Sequence, residues 1–250
     1  MKSYWIITLV LLFGLGSCVQ KQSSGSGTVE KVEEKAEVAA ENGGIPLDEN
    51  LPGAAISLQK NFYVILDCSG SMAEDVCGGG DKSFYDKMRA AQWATTEFVA
   101  KVPKDVNLGL CLLTDGDVVE VVPLSTDRAA FLAAVQATGS GGGTPLGEAI
   151  VVATNKLAER YKLQLGYGEY RIIAITDGEA TGMSIDRAGE YARKSGFPIY
   201  TIGFCMDADH SLRKYSTSYR TANSSIDLAK GLEETLGEAD SFDPTTFGGK

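Results

Sequence analysis

The chain has 250 residues, of which 44% are hydrophobic and 22% are charged. These proportions are typical of a soluble globular protein and provide enough apolar residues for a sizeable core. The formal net charge is −10 at pH 7. Binding to the phosphates of nucleic acid requires clustered lysine and arginine, so we expect no nucleic-acid partner.

Residues 1–18 have the features of an export signal. Lys2 supplies a positive charge before the apolar run Trp5–Gly16, which has twelve residues. A membrane-spanning helix needs about 20 residues, so this short run favours a secretory signal. The run leads into Leu15–Cys18 (LGSC), which resembles the lipoprotein box of bacterial precursors. An ordinary signal followed by an incidental cysteine is the alternative.

The lipoprotein resemblance implies that the signal is removed and that Cys18 carries a lipid. The protein would then be anchored to a membrane of the bacterial cell envelope. Several acyl chains would hold it firmly, because each buried CH₂ group contributes about 0.8 kcal/mol. Val19, rather than an aspartate, follows the cysteine. This implies sorting to the outer membrane if the organism is Gram-negative.

A polar segment separates the signal from the part of the chain that can fold. Residues 19–57 are rich in Ser, Gly, Glu and Lys and contain few large apolar side chains. Such a segment cannot bury enough surface to fold alone, and it is predicted to be a flexible tether. The folded domain is predicted over residues 58–239, and residues 240–250 are predicted to be a C-terminal tail.

Apolar strands alternate with amphipathic helices from residue 58 onward. Phe62–Leu66 is a continuous apolar run, as expected of a central parallel strand that is covered on both faces. The next segment has apolar residues at three- and four-residue steps, which predicts a helix that stops at Pro103. Leu108–Thr114 and Val118–Val122 flank an Asp-Gly turn. This hairpin pattern predicts one antiparallel strand at an edge of the sheet.

The second half of the chain continues the alternation. Its predicted elements are a helix over 128–137 capped by Thr126 or Asp127, a helix beginning near Pro145, a strand over 171–176, a helix from a cap at Ser184 to Gly196, a strand over 198–204, a short strand near Thr221 and a helix over 226–238. Strands that alternate with helices favour a doubly wound α/β fold. We predict a mostly parallel six-stranded sheet with one antiparallel edge strand.

Three polar segments lie where such a sheet binds ligands, at the carboxyl ends of its strands. Asp67-Cys68-Ser69-Gly70-Ser71 follows the first strand, Thr144 opens a helix after a glycine-rich loop, and Asp177 follows the strand over 171–176. Alternate residues of an extended chain point to the same side. Residues 67, 69 and 71 therefore present three small oxygen donors together.

These segments together resemble the metal-ion-dependent adhesion site of von Willebrand factor type A domains, and the resemblance covers about residues 61–239. It implies a metal site made of Asp67, Ser69, Ser71, Thr144 and Asp177. The implied ion is Mg²⁺ (or Mn²⁺), with the serines as direct ligands and the aspartates acting through bound water. Thr144 would bind the ion when a partner is present. An Asp or Glu side chain of a partner protein would take the open position, because hydroxyl ligands leave the ion's charge unbalanced.

Each segment also has a simpler explanation. Asp67 with its two serines could form only a turn after the strand. Thr144-Pro145 could form only the start of a helix, and Asp177-Gly178 could form only a turn. A metal-free version of the same fold is a further alternative, in which the domain is a scaffold that binds its partner without metal.

We expect a binding module and not an enzyme. Asp67-Cys68-Ser69 is not the Gly-x-Ser-x-Gly nucleophile elbow, and the loop over 139–143 lacks the Gly-Lys-Ser/Thr ending of a phosphate-binding loop. The single histidine, His210, is predicted to lie in a surface loop. A Mg²⁺-dependent hydrolase is the alternative function. It would need a positioned nucleophile or base that this sequence does not present.

Five cysteines remain to be interpreted, and Cys18 is the predicted lipid site. Cys111 lies in a predicted strand and is expected to be a buried thiol. Cys68 is expected to point away from the metal loop. Cys77 and Cys205 both lie in loops on the proposed metal face, and an exported protein can form a disulfide between them. Their pairing is a hypothesis, because sequence does not determine connectivity.

Overall fold

The structure is a computed structural model that describes residues 44–77 and 83–237. The predicted signal, the lipid site at Cys18, most of the predicted tether and the C-terminal tail lie outside these residues. Their assignments stay predictions. Within the described ranges, no helix is both long and apolar enough to cross a membrane.

The core of the fold is one six-stranded sheet in the order β3-β2-β1-β4-β5-β6. All neighbouring strands pair in parallel except β2 and β3, which are antiparallel. The predicted fold class is therefore confirmed, including the antiparallel strand at an edge. The strands are β1 (Lys60–Asp67), β2 (Asn107–Thr114), β3 (Asp117–Ser125), β4 (Glu169–Thr176), β5 (Ile199–Phe204) and β6 (Ser216–Ala222).

The central strands are covered on both faces. In β1, Phe62, Val64 and Leu66 pack into one hydrophobic cluster, and Tyr63 and Ile65 pack into the other. All five are at most 2% exposed. Burial of alternate residues on opposite faces explains why this strand is a continuous apolar run.

Five α-helices flank the sheet in the described residues. They are α1 (Lys87–Lys101), α2 (Arg128–Gln136), α3 (Leu146–Leu163), α4 (Ile185–Lys194) and α5 (Ser225–Glu234). Helices α1, α2 and α5 contribute buried residues to the cluster on one face, and α3 and α4 contribute to the cluster on the other. A 3₁₀ helix over Gly70–Ala73 follows β1, and a second one over Ser211–Tyr215 precedes β6.

The strand order creates a crevice at the carboxyl ends of β1 and β4. The chain passes from β1 to β2 on one side, and β4 pairs with β1 on the other side. Open α/β sheets bind ligands at such a point, where the strand order reverses. The fold therefore brings the polar segments after β1 and β4 to the same crevice.

The helix caps agree with the sequence in one case and differ in another. Asp127 caps α2, because its carboxylate accepts a hydrogen bond from the Ala130 N–H at 2.9 Å. Ser184 occupies the position before α4, as predicted, but its side chain makes no capping hydrogen bond. The prediction that the Ser184 side chain caps this helix is therefore wrong. A serine before a helix marks a place where capping is favoured, but the bond itself depends on the side-chain rotamer.

Contacts with the domain begin before residue 58. The Ala55 N–H donates to the Leu163 carbonyl at 2.9 Å, and the Ser57 carbonyl accepts from the Gln164 amide at 2.9 Å. Ile45 packs against the cluster formed by α3, α4 and the sheet. Composition alone does not indicate these contacts, because two of them use backbone atoms of polar or small residues.

Candidate functional site

The loop after β1 and the glycine-rich loop before α3 are held together by their backbones. The Gly70 N–H donates to the Gly142 carbonyl at 3.0 Å, and the Gly141 N–H donates to the Cys68 carbonyl at 2.7 Å. The Asp115 N–H, in the β2–β3 turn, donates to the Gly141 carbonyl at 3.1 Å. Three loops therefore meet at the carboxyl edge of the sheet before any side chain is considered.

Gly142 is required at its position by both conformation and space. Its φ is +78°, in the left-handed region that favours glycine. A Cβ atom added there would lie 2.3 Å from the backbone nitrogen of Gly116. No side chain fits without moving one of the two loops.

Asp67 is fully buried at the end of β1. Its Oδ1 accepts the Ser69 N–H at 2.9 Å, and its Oδ2 accepts the Thr176 hydroxyl at 2.7 Å. Burial raises the pKa of Asp67 above its ordinary value, the hydrogen bonds from Thr176 and Ser69 oppose this rise, and the charge of Asp177 adds to it. The hydrogen bonds thus hold the carboxylate in place, but they only partly offset the free-energy cost of removing its charge from water.

The hydroxyls of Ser69 and Ser71 form a chain that leads to Asp177. The Ser71 hydroxyl donates to Asp177 Oδ1 at 2.7 Å, and the two serine oxygens are 3.0 Å apart. A serine hydroxyl has one hydrogen, so the Ser69 hydroxyl is the donor to Ser71. The structure therefore brings these residues from the ends of β1 and β4 together, although Ser71 lies in a 3₁₀ helix and not in the extended chain that the sequence spacing predicts.

Thr144 adds a third hydroxyl to the group. The residue is 6% exposed, and its N–H donates to the Thr181 hydroxyl at 3.1 Å. Its own hydroxyl has no hydrogen-bond partner among the residues that the structure describes. A Cβ atom added at Gly178 would lie 3.7 Å from Thr144 Oγ1 and 4.0 Å from Ser71 Oγ. The threonine and serine hydroxyls therefore face the same small space beside Gly178.

Lys87, in the first turn of α1, is a site residue that sequence reasoning missed. Its ammonium lies 2.9 Å from Asp177 Oδ2 and 3.0 Å from Glu74 Oε2. Burial lowers the pKa of Lys87, but the hydrogen bonds and charges of Asp177 and Glu74 outweigh it, and the pKa lies above the ordinary value. Lys87 is therefore charged. One signal in the sequence could have identified it. Lys87 lies three residues before Ala90 and four before Ala91, which places a lysine on the apolar side of the helix.

His210 is buried and not in a surface position, so the sequence prediction for this residue is wrong. It is 3% exposed, its ring stacks on Tyr219, and its Nδ1 accepts the Leu212 N–H at 3.0 Å. Nε2 lies 3.1 Å from the Gly178 carbonyl. Since Nδ1 is an acceptor, Nε2 is the donor of this bond. His210 therefore supports the loop after β4 through ring stacking and two hydrogen bonds. A single histidine in a polar segment of the sequence gives no sign of these contacts.

Cys77 and Cys205 form a disulfide in the structure, with their Cα atoms 5.4 Å apart. Cys77 follows the 3₁₀ helix in the loop after β1, and Cys205 follows β5. The disulfide therefore ties the far end of this loop to the sheet. Cys68 and Cys111 are free and buried, and burial raises the pKa of each thiol, which disfavours the reactive thiolate.

The donor set matches a hard divalent cation that prefers oxygen. Two carboxylates and three hydroxyls converge, and Mg²⁺ in proteins takes oxygen ligands while keeping several waters. The Thr144 hydroxyl offers a further oxygen toward the same space. In the described ranges, the candidate site included, no group of three or more His, Cys, Asp or Glu side chains could hold a metal ion, so the candidate site depends on hydroxyl oxygens as well as on carboxylates.

A cavity of about 620 Å³ lies at the opposite edge of the sheet, where β1, β4 and β5 begin. Rings of Tyr161, Tyr170 and Phe197 pack together in its wall. Its charged residues Lys60 and Arg171 both pair with Glu169. Paired charges of this kind stabilise the base of the sheet.

One segment of the chain matches a known protein family. Residues 62–179 match the family model of the von Willebrand factor type A domain. A search of curated proteins found no match.

Solved structures show the same fold at low sequence identity. The conserved hypothetical protein BatB from Bacteroides thetaiotaomicron is 20% identical, with a TM-score of 0.55 over 71% of this chain and 97% of that one. A von Willebrand factor type A protein from Catenulispora acidiphila is 20% identical, with a TM-score of 0.59 over 74% and 44%. The vWF domain of the type V pili tip protein Mfa5 from Porphyromonas gingivalis is 13% identical, with a TM-score of 0.53 over 78% and 99%. The chain is therefore similar in sequence to von Willebrand factor type A domains over residues 62–179, and its fold is similar to the fold of these solved structures.

Proposed function

We propose that this chain is a lipid-anchored cell-envelope protein whose domain binds one Mg²⁺ (or Mn²⁺) and uses it to hold an Asp or Glu side chain of a partner protein. Domains of this type are generally protein-interaction modules. The observation that carries the proposal is the convergence of hydroxyls and carboxylates from three loops: Ser69, Ser71 and Asp177 are joined by hydrogen bonds, and the Thr144 hydroxyl faces the same space as Ser71. Hydroxyl and carboxylate oxygens are the ligands that Mg²⁺ prefers in proteins.

The residues divide into two roles in this proposal. Ser69, Ser71 and Thr144 offer neutral oxygens to the ion. Asp67 and Asp177 orient the serine groups through the hydrogen bonds described above and would hold water that the ion retains. When bound, the ion supplies an open position for an anionic ligand.

We propose no enzymatic activity. The Ser69 hydroxyl is bonded to another hydroxyl, and His210 uses both ring nitrogens in contacts with the backbone. A serine nucleophile requires a neighbouring general base. A Mg²⁺-dependent hydrolase would therefore need a base from outside the residues described here.

The cell-envelope location rests on the sequence box at Cys18. Some proteins of similar fold are described as a pili tip protein and an aerotolerance-related membrane protein, which fits a role at a membrane or cell surface. The test is Cys18→Ala with detergent partitioning. We expect the variant to leave the detergent phase, and a variant that still partitions with membrane contradicts the anchor.

Calorimetric titration with Mg²⁺ tests the metal site. We expect wild type to bind one ion, Asp67→Ala to bind it at least about tenfold more weakly, and Asp48→Ala to bind it as wild type does. Asp48 is an exposed aspartate in the segment before β1, so it controls for loss of one negative charge. If Asp67→Ala binds Mg²⁺ as tightly as wild type does, the proposed site is wrong.

Capture from membrane extracts tests the partner. We expect immobilised wild type to retain a protein in Mg²⁺ and to release it in EDTA, and immobilised Asp67→Ala to retain none. A partner that stays bound in EDTA would make the domain a metal-independent scaffold. Phosphate or peptide hydrolysis that depends on Mg²⁺ and on Asp67 would instead favour the hydrolase.

A further inference from the structure

The ammonium of Lys87 lies beside the proposed cation site, where a positive charge opposes metal binding. Its side chain is 9% exposed, and Asp177, its nearest partner, has a side chain that is 0% exposed. Glu74, the other partner, has a side chain that is 69% exposed. The pair with Asp177 is thus shielded from water, and the pair with Glu74 is largely screened by it.

The two carboxylate oxygens of Asp177 have different partners, and Lys87 is one of them. Oδ2 accepts from the ammonium at 2.9 Å, and Oδ1 accepts from the Ser71 hydroxyl at 2.7 Å. The carboxylate therefore has one oxygen bound to a fixed cation and one oriented toward the hydroxyl chain. Among the described residues, the hydrogen-bond partners of Asp67 are the Ser69 N–H and the Thr176 hydroxyl, and neither is a cation.

The charges of the buried groups then decide what ligand a loaded site favours. The carboxylates of Asp67 and Asp177 and the ammonium of Lys87 leave the site with a net charge of −1. A divalent ion would change this to +1, and one carboxylate from a partner would neutralise it. Without Lys87, the two aspartates alone would neutralise the ion, and the net charge of the loaded site would not attract a further anion.

We infer that Lys87 is the residue that makes the metal site select an anionic partner: its buried ammonium weakens the hold on the ion and strengthens the ion's hold on a carboxylate. This inference rests on the proposed function. It assigns to Lys87 a role in specificity that is separate from ligation, since an ammonium cannot bind a cation.

The test uses Mg²⁺ as the metal and acetate as the carboxylate probe. Mg²⁺ dissociation constants are measured by calorimetry in chloride and in acetate buffers of equal ionic strength, and the ratio of the two is the acetate response. We expect wild type to bind Mg²⁺ more tightly in acetate. Lys87→Met should bind Mg²⁺ about tenfold more tightly in chloride, the order expected when one unit charge near a divalent ion is removed, and should lose the acetate response.

Two further variants keep the result interpretable if Lys87→Met folds poorly. Glu74→Gln removes the exposed and largely screened partner of the ammonium, so we expect a smaller effect of the opposite sign: slightly weaker Mg²⁺ binding in chloride and a slightly larger acetate response. Lys101→Met removes the lysine at the other end of α1, which pairs with the exposed Glu233, and should behave as wild type.

The outcomes separate the two proposals. If wild type binds Mg²⁺ and Glu74→Gln and Lys87→Met shift the acetate response in opposite directions, Lys87 sets the preference. If wild type binds Mg²⁺ but neither variant changes the response, or both change it in the same direction, the role of Lys87 is structural and the inference is wrong. If wild type binds no Mg²⁺, the metal site and this inference fail together.

Discussion

Asp67 and Thr176 connect the two central strands at the point where both strands end, through a hydrogen bond of 2.7 Å from the threonine hydroxyl to Asp67 Oδ2. Thr176 Oγ1 also lies 3.1 Å from the Gly178 carbonyl. The buried carboxylate is thereby linked to the loop that carries Asp177. Several properties of the metal-free protein follow from this arrangement.

Asp67→Asn should stabilise the metal-free protein and abolish its stabilisation by Mg²⁺. An amide fits the same contacts: its oxygen accepts the Ser69 N–H, its nitrogen donates to Thr176 Oγ1, and the threonine hydrogen turns to the Gly178 carbonyl. Removing a buried charge should raise the free energy of unfolding by on the order of 1 kcal/mol. Chemical denaturation with and without Mg²⁺ measures both effects. A metal-free variant that is less stable than wild type contradicts this account.

Asp67 should also make the stability of the metal-free protein depend on pH. Its pKa in the folded state is raised, so the folded protein binds the proton more tightly than the unfolded chain does, whose aspartate pKa is about 3.9. Stability from this group is present below that value and is lost as the pH rises through the folded pKa. The difference between wild type and Asp67→Asn isolates the effect from other carboxyls. A difference that is constant across the acidic range would show that Asp67 does not contribute.

Thr144→Val should change the stability of the metal-free domain by less than about 0.5 kcal/mol, because the lost hydroxyl has no partner among the described residues. It should still weaken acetate-linked Mg²⁺ binding. Thr181→Val is the matched comparison, since its hydroxyl accepts the Thr144 N–H, and its loss should cost about 1 kcal/mol. Thermal unfolding of both variants without metal is the measurement. Equal destabilisation by the two substitutions would mean that the Thr144 hydroxyl is already satisfied.

Gly142→Ala should destabilise the domain by more than about 1 kcal/mol, because the residue has a positive φ and its Cβ would overlap Gly116. Mg²⁺ binding should weaken as well, since the loop that carries Thr144 must move. Gly139→Ala, in the same loop, adds a methyl group where no atom lies within 4 Å, and it should be neutral. Urea unfolding of the pair tests this, and similar midpoints would argue against the close approach of the loops.

Replacing both Cys77 and Cys205 by serine should lower the free energy of unfolding by about 2–4 kcal/mol, because the disulfide closes a loop across 128 positions. The variant should be insensitive to reductant, and wild type should fall to its level when reduced. Alkylation without reduction, followed by mass spectrometry, identifies the bond directly. Labelling of Cys77 in oxidised protein would contradict the pairing.

The sheet could be predicted because its signals are local. Phe62–Leu66 is apolar throughout since both faces of β1 are buried, and Asp115-Gly116 marks the hairpin since its residues adopt positive φ. The resemblance to a metal site also identified residues that the structure places together. In each case neighbouring residues in the chain carry the information.

The remaining features depend on contacts between distant residues. Lys87 is one of several lysines, and only the packing of α1 against the end of β4 makes it a partner of Asp177. His210 is polar and isolated in sequence, yet Tyr219 and Gly178 bury it. The Ala55 contact with Leu163 uses backbone atoms, which no side-chain pattern reports.

The hydrogen bond from Ser71 to Asp177 spans 106 residues, and that from Thr176 to Asp67 spans 109. Contacts of such sequence separation form only after long segments have been closed, which makes them late in folding. A chain that has not yet paired β1 with β4 would therefore lack the proposed metal site. If the site binds as proposed, binding of an ion or partner is restricted to completed molecules, and a newly made chain cannot capture its ligand before the sheet has formed.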